Sequence, residues 1–481
     1  MRRAILLLAG PGSWLLLRLA APSSLSPQAA HVFGITGWMA LWWMTEPVPL
    51  AATSLLPLAL FPLVGVASAK EAASPYANEL VFLFLAGFLF AAALEKWNAH
   101  ARMAYAIVSR VGGTARRVVL GVMIATAFVS LWISNTATAA MMYPIALAIG
   151  ALFGAGRVAD GLRTALMLGV AYAASIGGMG TLIGTPPNLI FAGAAKQLLG
   201  RDVGFVEFMG VGLPLVAVLL PVCWALLVFV FFRGNVFLGG EARDVLLERR
   251  AALGRLRGGE AATLAVFGLT VAAWLVRERK DLGLVVLPGL ADLWPKITDA
   301  SIGIAGALLL FCLSGSARDQ ARRPLLTWRE AREIPWEVLL LFGGGLSLAS
   351  AMESSGLAAW LGNRMTGLAG YPPILVYAGL ALLVLFLSEL ASNTAVAAMT
   401  MPVAASLAPA VGEPALVLML VAALASSTGF ALPVATPPNT IVFGSGQVTV
   451  RQMAKVGVVL DLLAIAAIVL AVALLFPRVF G

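Results

Sequence analysis

Charge and reactive side chains are scarce in this chain. Of 481 residues, 11% are Asp, Glu, Lys or Arg, where soluble domains carry about 25%. That scarcity excludes an ordinary soluble enzyme and a disordered chain. Only two cysteines (Cys223 and Cys312) and two histidines (His31 and His100) are present. They are too few for a disulfide framework, a zinc site or a histidine-based metal cluster. No HExxH motif occurs, and no nucleophile is paired with a base, so an intramembrane hydrolase lacks its parts. Glycine-rich runs such as Gly177-Gly178-Met179-Gly180 and Gly343-Gly344-Gly345 lack the P-loop lysine and a strand context, and read as close helix packing.

What is abundant is apolar. Hydrophobic residues make up 60% of the chain, enough for about ten membrane spans of ~20 residues. Apolar runs cover 4–20, 28–43, 47–67, 79–95, 119–153, 163–195, 205–232, 260–276, 300–315, 335–352, 374–410, 414–446 and 456–476. The runs 119–153, 163–195, 374–410 and 414–446 are too long for one span and predict broken helices or re-entrant hairpins. The fold expected is an all-α polytopic membrane protein with about 11 transmembrane helices plus two re-entrant hairpins. Met1-Arg2-Arg3 and the apolar stretch to Leu17 have the look of a signal peptide. Gly10-Pro11-Gly12 and Arg18 interrupt it and favour a retained first helix.

The net charge of +9 reads as the loop bias of a membrane protein, not as a nucleic-acid surface. With the N-terminus cytoplasmic and the segments 119–153 and 374–410 returning to their side of entry, 22 of the 32 basic residues fall inside. The basic stretches 96–117, 233–257 and 318–332 then share the cytoplasmic side, and the C-terminus is external. Residues 233–258 read as a cytoplasmic connector. Trp42 and Trp43 read as interfacial anchors. The location expected is a bacterial inner or plasma membrane.

The chain repeats itself. At a shift of 258, Glu79 meets Glu337, Gly87 meets Gly345 and Glu95 meets Glu353; Ser130 meets Ser388, and Ser134-Asn135-Thr136-Ala137 meets Ser392-Asn393-Thr394-Ala395. At 251, Thr185-Pro186-Pro187-Asn188 meets Thr436-Pro437-Pro438-Asn439. Residues 96–117 hold five basic residues and the matching 354–375 only Arg364. That contrast predicts copies facing opposite sides of the membrane, an inverted-topology repeat with two half-sites near the midplane. The boundaries expected are 1–118 and 259–373 as the scaffold helices of each repeat. Residues 119–232 and 374–481 are the matching transport halves, each with a hairpin and a broken helix, and 233–258 joins the repeats.

A single Ser-Asn-Thr cluster in an apolar run could serve interhelical hydrogen bonding alone, and Pro-Pro could mark a simple kink. Two symmetric copies on over-long segments point instead to a binding site lined by unwound backbone. Helix N-termini favour an anion there. Neither motif carries Arg, Lys or His, so a buried dianion lacks a counter-charge. Asn oxygen, Ser hydroxyl and carbonyls suit a small hard cation such as Na⁺, whose binding would accompany the anion. Glu389 and Asp461 read either as proton sites or as satisfied internal residues.

The paired SNT and TPPN motifs, with Trp42-Trp43-Met44-Thr45-Glu46, resemble the divalent anion/sodium symporter family over residues 37–476. The resemblance implies a sodium-coupled importer of C4-dicarboxylates such as succinate, working as a homodimeric elevator with Na⁺ as coupling ion, no organic cofactor and no enzymatic activity. It implies one sodium site from Ser130, Ser134, Asn135 and the Gly184 carbonyl, and a second from Ser388, Ala391, Asn393 and the Ala435 carbonyl. It places substrate against Asn135, Thr136, Asn393 and Thr394, with Thr185, Pro186, Thr436 and Pro437 lining the pocket. Ser388 stands where relatives can carry Thr, and Thr185 where some carry Ser. Sodium-independent exchange and sulfate or tricarboxylate transport are the alternatives within the family. An ion channel is the competing class, and trans-accelerated exchange separates it from a carrier.

Overall fold

The computed structural model describes residues 2–108, 110, 113–239, 248, 251–256, 258–281, 286–316, 321–365, 367 and 370–480. Its principal helices are α1 (Arg2–Leu19), α2 (Pro27–Thr45), α3 (Glu79–Lys96), α4 (Ala99–Val108), α5 (Ala115–Ser130), α6 (Asn135–Ala151), α7 (Arg157–Gly178), α8 (Pro186–Leu199) and α9 (Phe205–Ala225). The second half contributes α10 (Gly258–Leu275), α11 (Asp299–Cys312), α12 (Trp336–Ser354), α13 (Leu357–Arg364), α14 (Pro373–Leu390), α15 (Asn393–Val411), α16 (Ala415–Ser426), α17 (Pro437–Phe443) and α18 (Val450–Val479). Shorter turns fill the links, and the strands form only two-stranded pairs of two or three residues.

All four over-long runs are broken. The first splits between Ser130 and Asn135, and its counterpart between Leu390 and Asn393. The runs carrying Thr-Pro-Pro-Asn break at 179–185 and 427–436. The cause is local. Proline lacks an N–H and restricts the residue before it, so Thr185 and Thr436 are extended (φ −146° and −138°) and each new helix starts at the proline. Six of the described helices are long and apolar enough to cross a membrane, or seven if α12 and α13, bent by 75°, count as one span. Eleven spans were expected; other apolar helices, such as Asp299–Cys312 and Ala415–Ser426, are shorter than a full crossing.

The core lies where the repeats meet. From Thr164 to Gly178 every residue of α7 is buried, as is every residue of α16 from Leu416 to Ser426. A helix apolar on all sides belongs in the interior, and these two are rich in Ala, Gly and Ser, which lets neighbours approach closely. Helix α7 packs on α5 and α6, and α16 on α14 and α15. The repeats also interlock: α8 of the first lies against α15 and α16, and α17 of the second lies against α6 and α7.

Loops assigned to one side from their charge do meet. Lys96 pairs with Glu330 at 2.9 Å, Arg102 pairs with Glu260 at 2.6 Å, and Arg116 Nε donates to the Gly234 carbonyl at 2.6 Å. Residues 237–239 also pair with 113–114. The rest of the connector is largely undescribed: Arg243, Arg249, Arg250 and Arg257 lie outside the described residues, as does Arg318 of the third basic stretch. Helix α1 packs along α2, with Gly10 against the indole nitrogens of Trp38 and Trp42.

A close backbone approach in the core sits at Gly177, where a Cβ would lie 2.4 Å from the Ala127 carbonyl oxygen and 2.6 Å from its Cα. Both are backbone atoms and cannot swing aside. Gly177→Val should therefore destabilise the α5–α7 contact by about 1–3 kcal/mol or more. Loss of the monodisperse peak in fluorescence size-exclusion chromatography, with Gly268→Ala as an open-space control, checks this.

Candidate functional site

Each SNT helix starts at a hinge closed by a serine. Ser130, fully buried at the end of α5, places its Oγ 2.8 Å from Asn135 Oδ1 and 2.7 Å from the Ala174 carbonyl. Ser388, fully buried on α14, places its Oγ 2.7 Å from Asn393 Oδ1 and 2.7 Å from the Ser426 carbonyl. A hydroxyl has one proton to give. In both places it therefore faces two acceptors, and three oxygens converge with a single hydrogen between them. Such a cluster suits a hard cation as a further partner.

The breaks complete each cluster. A Cβ at Gly178 would lie 2.3 Å from Asn135 Oδ1, and one at Gly184 would lie 2.5 Å from the Gly178 carbonyl and 3.0 Å from the Ser130 carbonyl. Ser130, Asn135 and Gly184 are thus brought together. In the second half, the Cβ position of Gly429 is 3.5 Å from Ala435 and 3.7 Å from the Ser388 carbonyl. That draws Ser388, Asn393 and Ala435 into one place. Ser134 serves as the N-cap of α6, its side chain accepting from the Ala137 N–H at 3.4 Å. Ala391 is the extended residue of the second hinge (φ −139°, ψ 169°).

The substrate residues expected from sequence sit at the starts of four helices. Asn135, Asn393, Thr394 and Pro186 are half-buried, Thr136 and Pro437 are exposed, and Thr185 and Thr436 are buried. The interlocking of α8 with α15 and of α17 with α6 brings each TPPN start toward the other repeat. Caps are unevenly distributed. Thr436 accepts from the Asn439 N–H at 3.3 Å and Ser134 caps α6, whereas Thr185 and Ser392 make no side-chain cap. The two uncapped helices, α8 and α15, are packed on each other.

One expectation needs adjustment. The anion preference of the TPPN helices is weakened because their first two residues are prolines without N–H groups. The next N–H, that of Asn188, turns to the Thr185 carbonyl at 3.2 Å. The free donors of an anion site therefore lie mainly at the SNT helices.

Two residues carry a role that sequence reading passed over. Asn188 Nδ2 donates to the carbonyls of Gly178 (2.9 Å) and Thr181 (2.7 Å), and Asn439 Nδ2 to those of Gly429 (3.0 Å) and Leu432 (3.0 Å). Both amides are fully buried, and both Oδ1 atoms lack a partner. Asn188 ties the end of α7, and Asn439 the break after α16, to the third residue of the following helix. The available signal was the last letter of a duplicated tetrapeptide. Glu389 and Asp461 resolve as satisfied residues, accepting backbone N–H groups of residues 429–432. The cavity of about 370 Å³ lined by Leu198, Ala349, Glu353, Gly362, Pro402 and Pro409 lies at the far end of α8 from Pro186, away from both motifs.

Comparison with known proteins matches this arrangement to a family. The model described as the sodium:sulfate symporter transmembrane region matches residues 3–480. The sodium-dependent dicarboxylate transporter SdcS of Staphylococcus saprophyticus is 39% identical over 488 residues, covering 99% of this chain and 92% of the relative. SdcS of Staphylococcus aureus is 39% identical over 483 residues, covering 99% and 91%. Among solved structures, the Neisseria gonorrhoeae MtrF transporter aligns with a TM-score of 0.57 at 12% identity, over 96% of this chain and 98% of its own. The Alcanivorax borkumensis YdaH transporter aligns with a TM-score of 0.55 at 13% identity, over 87% and 88%. With its duplicated hinges, its broken helices and a family match along almost its whole length, the chain belongs to the divalent anion/sodium symporter family as a multi-pass integral membrane protein.

Proposed function

We propose that the protein is a sodium-coupled importer of C4-dicarboxylates such as succinate. The observation that carries this is the full-length similarity to proteins named sodium-dependent dicarboxylate transporters, at 39% identity over 99% of the chain. The site chemistry supports it. Each hinge converges three oxygens on one proton, and neither motif offers a cationic side chain. Sodium at Ser130, Ser134, Asn135 and Gly184, and at Ser388, Ala391, Asn393 and Ala435, is the charge that makes a buried dianion tolerable. Asn135, Thr136, Asn393 and Thr394 then meet the carboxylates, with Thr185, Pro186, Thr436 and Pro437 around them. Coupling follows, because each ligand lowers the cost of burying the other.

The movement proposed is an elevator in a homodimer. Helices α5–α9 and α14–α18 would travel together against a scaffold of α1–α4 and α10–α13, after completing about 11 crossings and two hairpins. The surfaces between them suit sliding. Gly193 of α8 lies against Phe342 of α12, and Gly345 of α12 against Ala398 of α15. The ion pair of Lys196 with Glu79 and the edge-on contact of Trp132 with Phe267 at 5.5 Å hold the arrangement seen here. The N-terminus and the three basic stretches are placed on the cytoplasmic side and the C-terminus outside. A sodium-coupled sulfate carrier is the second reading, favoured by the description of the matching family model.

Labelled succinate uptake into proteoliposomes should require an inward Na⁺ gradient and be blocked by malate. Block by sulfate but not malate would favour the second reading, and uptake driven only by internal dicarboxylate would make the protein an exchanger. Asn135→Ala or Asn393→Ala should reduce uptake to the level of protein-free vesicles while leaving a folded protein; wild-type uptake in either would overturn the site. Thr185→Ser, which removes one methyl from the pocket wall, should change the preference among dicarboxylates by up to about tenfold. Its Na⁺ dependence should be that of wild type; the reverse pattern would move Thr185 out of the pocket.

A further inference from the structure

The two half-sites are not equivalent in how their breaks are held. On the second, Glu389 follows Ser388 on α14, and its two carboxylate oxygens accept the N–H groups of Ala431 (2.8 Å) and Leu432 (3.0 Å). Asp461, buried on α18, accepts those of Gly429 (3.3 Å) and Phe430 (3.1 Å) through Oδ1. Four successive backbone donors of the 427–436 break therefore end on two carboxylates. Asn439 holds the carbonyls of Gly429 and Leu432 from the other direction. Among the described residues, no Lys, Arg or His is paired with either carboxylate.

Among the described residues, no carboxylate accepts from the break of the first half. Leu131 stands where Glu389 does at the 258-residue shift. At Gly180, the counterpart of Ala431, a Cβ would meet Leu131 Cδ2 at 2.3 Å and Val216 Cγ2 at 3.3 Å. An apolar pair thus occupies the place of the acidic one. The N–H groups of Met179 and Gly180 turn back to Ile176 and Gly177 within their own helix end. Beyond the Asn188 amide and the Thr181 hydroxyl, which donates to the Leu131 carbonyl, the first break is held by local turns and apolar contact, whereas the second adds charged acceptors on two other helices.

An independent feature says what the second break serves. Ser388 Oγ, buried beside Glu389, faces two acceptor oxygens with one proton, so an acceptor there is left unspent. Resting on the sodium-coupled reading above, we infer that Glu389 and Asp461 are positioning residues of the second sodium half-site, which holds its cation more tightly than the first and fills before it. They fix the break that presents the Ala435 carbonyl, and the negative charge that this hydrogen-bonded pair of carboxyl groups shares lies beside the cation. The first half-site, with an apolar clamp, is organised later, by sodium and substrate together. The order makes physical sense, because a cation already present lowers the cost of bringing the dianion in.

The test is a sodium titration of purified protein without dicarboxylate, read as thermal stabilisation with choline as the replacing ion, beside succinate uptake. Glu389→Gln and Asp461→Asn should weaken the sodium midpoint by at least about tenfold, as loss of a supporting partner does at other cation sites. The succinate KM at saturating sodium should stay near wild type. Glu389→Asp, which keeps the charge, should recover most of the sodium affinity, and Leu131→Met at the matching position of the first half should leave it unchanged. A folded Glu389→Gln protein with a wild-type sodium midpoint would overturn the inference, as would Glu389→Asp failing as badly as Gln. Should Glu389→Gln not fold, Asp461→Asn decides by the same criterion. A wild-type protein that shows no sodium response at all would overturn the sodium-coupled reading itself, a result distinct from any of these.

Discussion

The constraint on which this structure depends is the cost of an unpaired peptide group away from water. A broken helix inside an apolar core exposes backbone N–H and C=O groups, each costing several kcal/mol if left unsatisfied. The chain answers with a few buried polar side chains placed twice. Asn188 and Asn439 each spend both amide protons on two carbonyls, three residues apart, in the first part of a break. Ser130 and Ser388 bridge from a hinge to a central helix. Their orientation is forced: with two carbonyls as neighbours, only the NH₂ group of the carboxamide fits, which leaves Oδ1 facing away and unpartnered.

From that constraint the site follows. Polar groups that close the breaks also concentrate oxygen around two small volumes, one in each repeat. The interlocking of α8 with α15 and α16, and of α17 with α6 and α7, keeps the half-sites from being separate modules. Neither repeat can form its TPPN helix contacts without the other. A duplicated sequence therefore yields two breaks that depend on one another, the backbone on which the proposed function places a dianion and its balancing cations.

Duplication has not preserved symmetry. Thr436 caps its helix while Thr185 does not, Ser134 caps while Ser392 does not, and a carboxylate pair replaces Leu131 and Val216. The two breaks are therefore clamped by different chemistry, one with carboxyl acceptors and the other with apolar side chains.

Much of this was legible in the sequence. Apolar run length determined that the chain is a membrane protein, because each crossing demands its own quota of apolar residues. The duplicated SNT and TPPN motifs located the breaks, since Pro-Pro permits no continuous helix. Charge counts placed the loops of Lys96, Arg102, Arg116 and Glu330 on one side, where contacts among them are found. Other features are set by tertiary structure alone. Nothing local tells that Asn188 clamps a helix end ten residues upstream, that Ser388 meets the Ser426 carbonyl, or that Asp461 reaches the break near Phe430. Those pairings join segments distant in sequence. Local pattern specifies which backbone groups will lack partners, and only the packing of helices decides which side chains supply them.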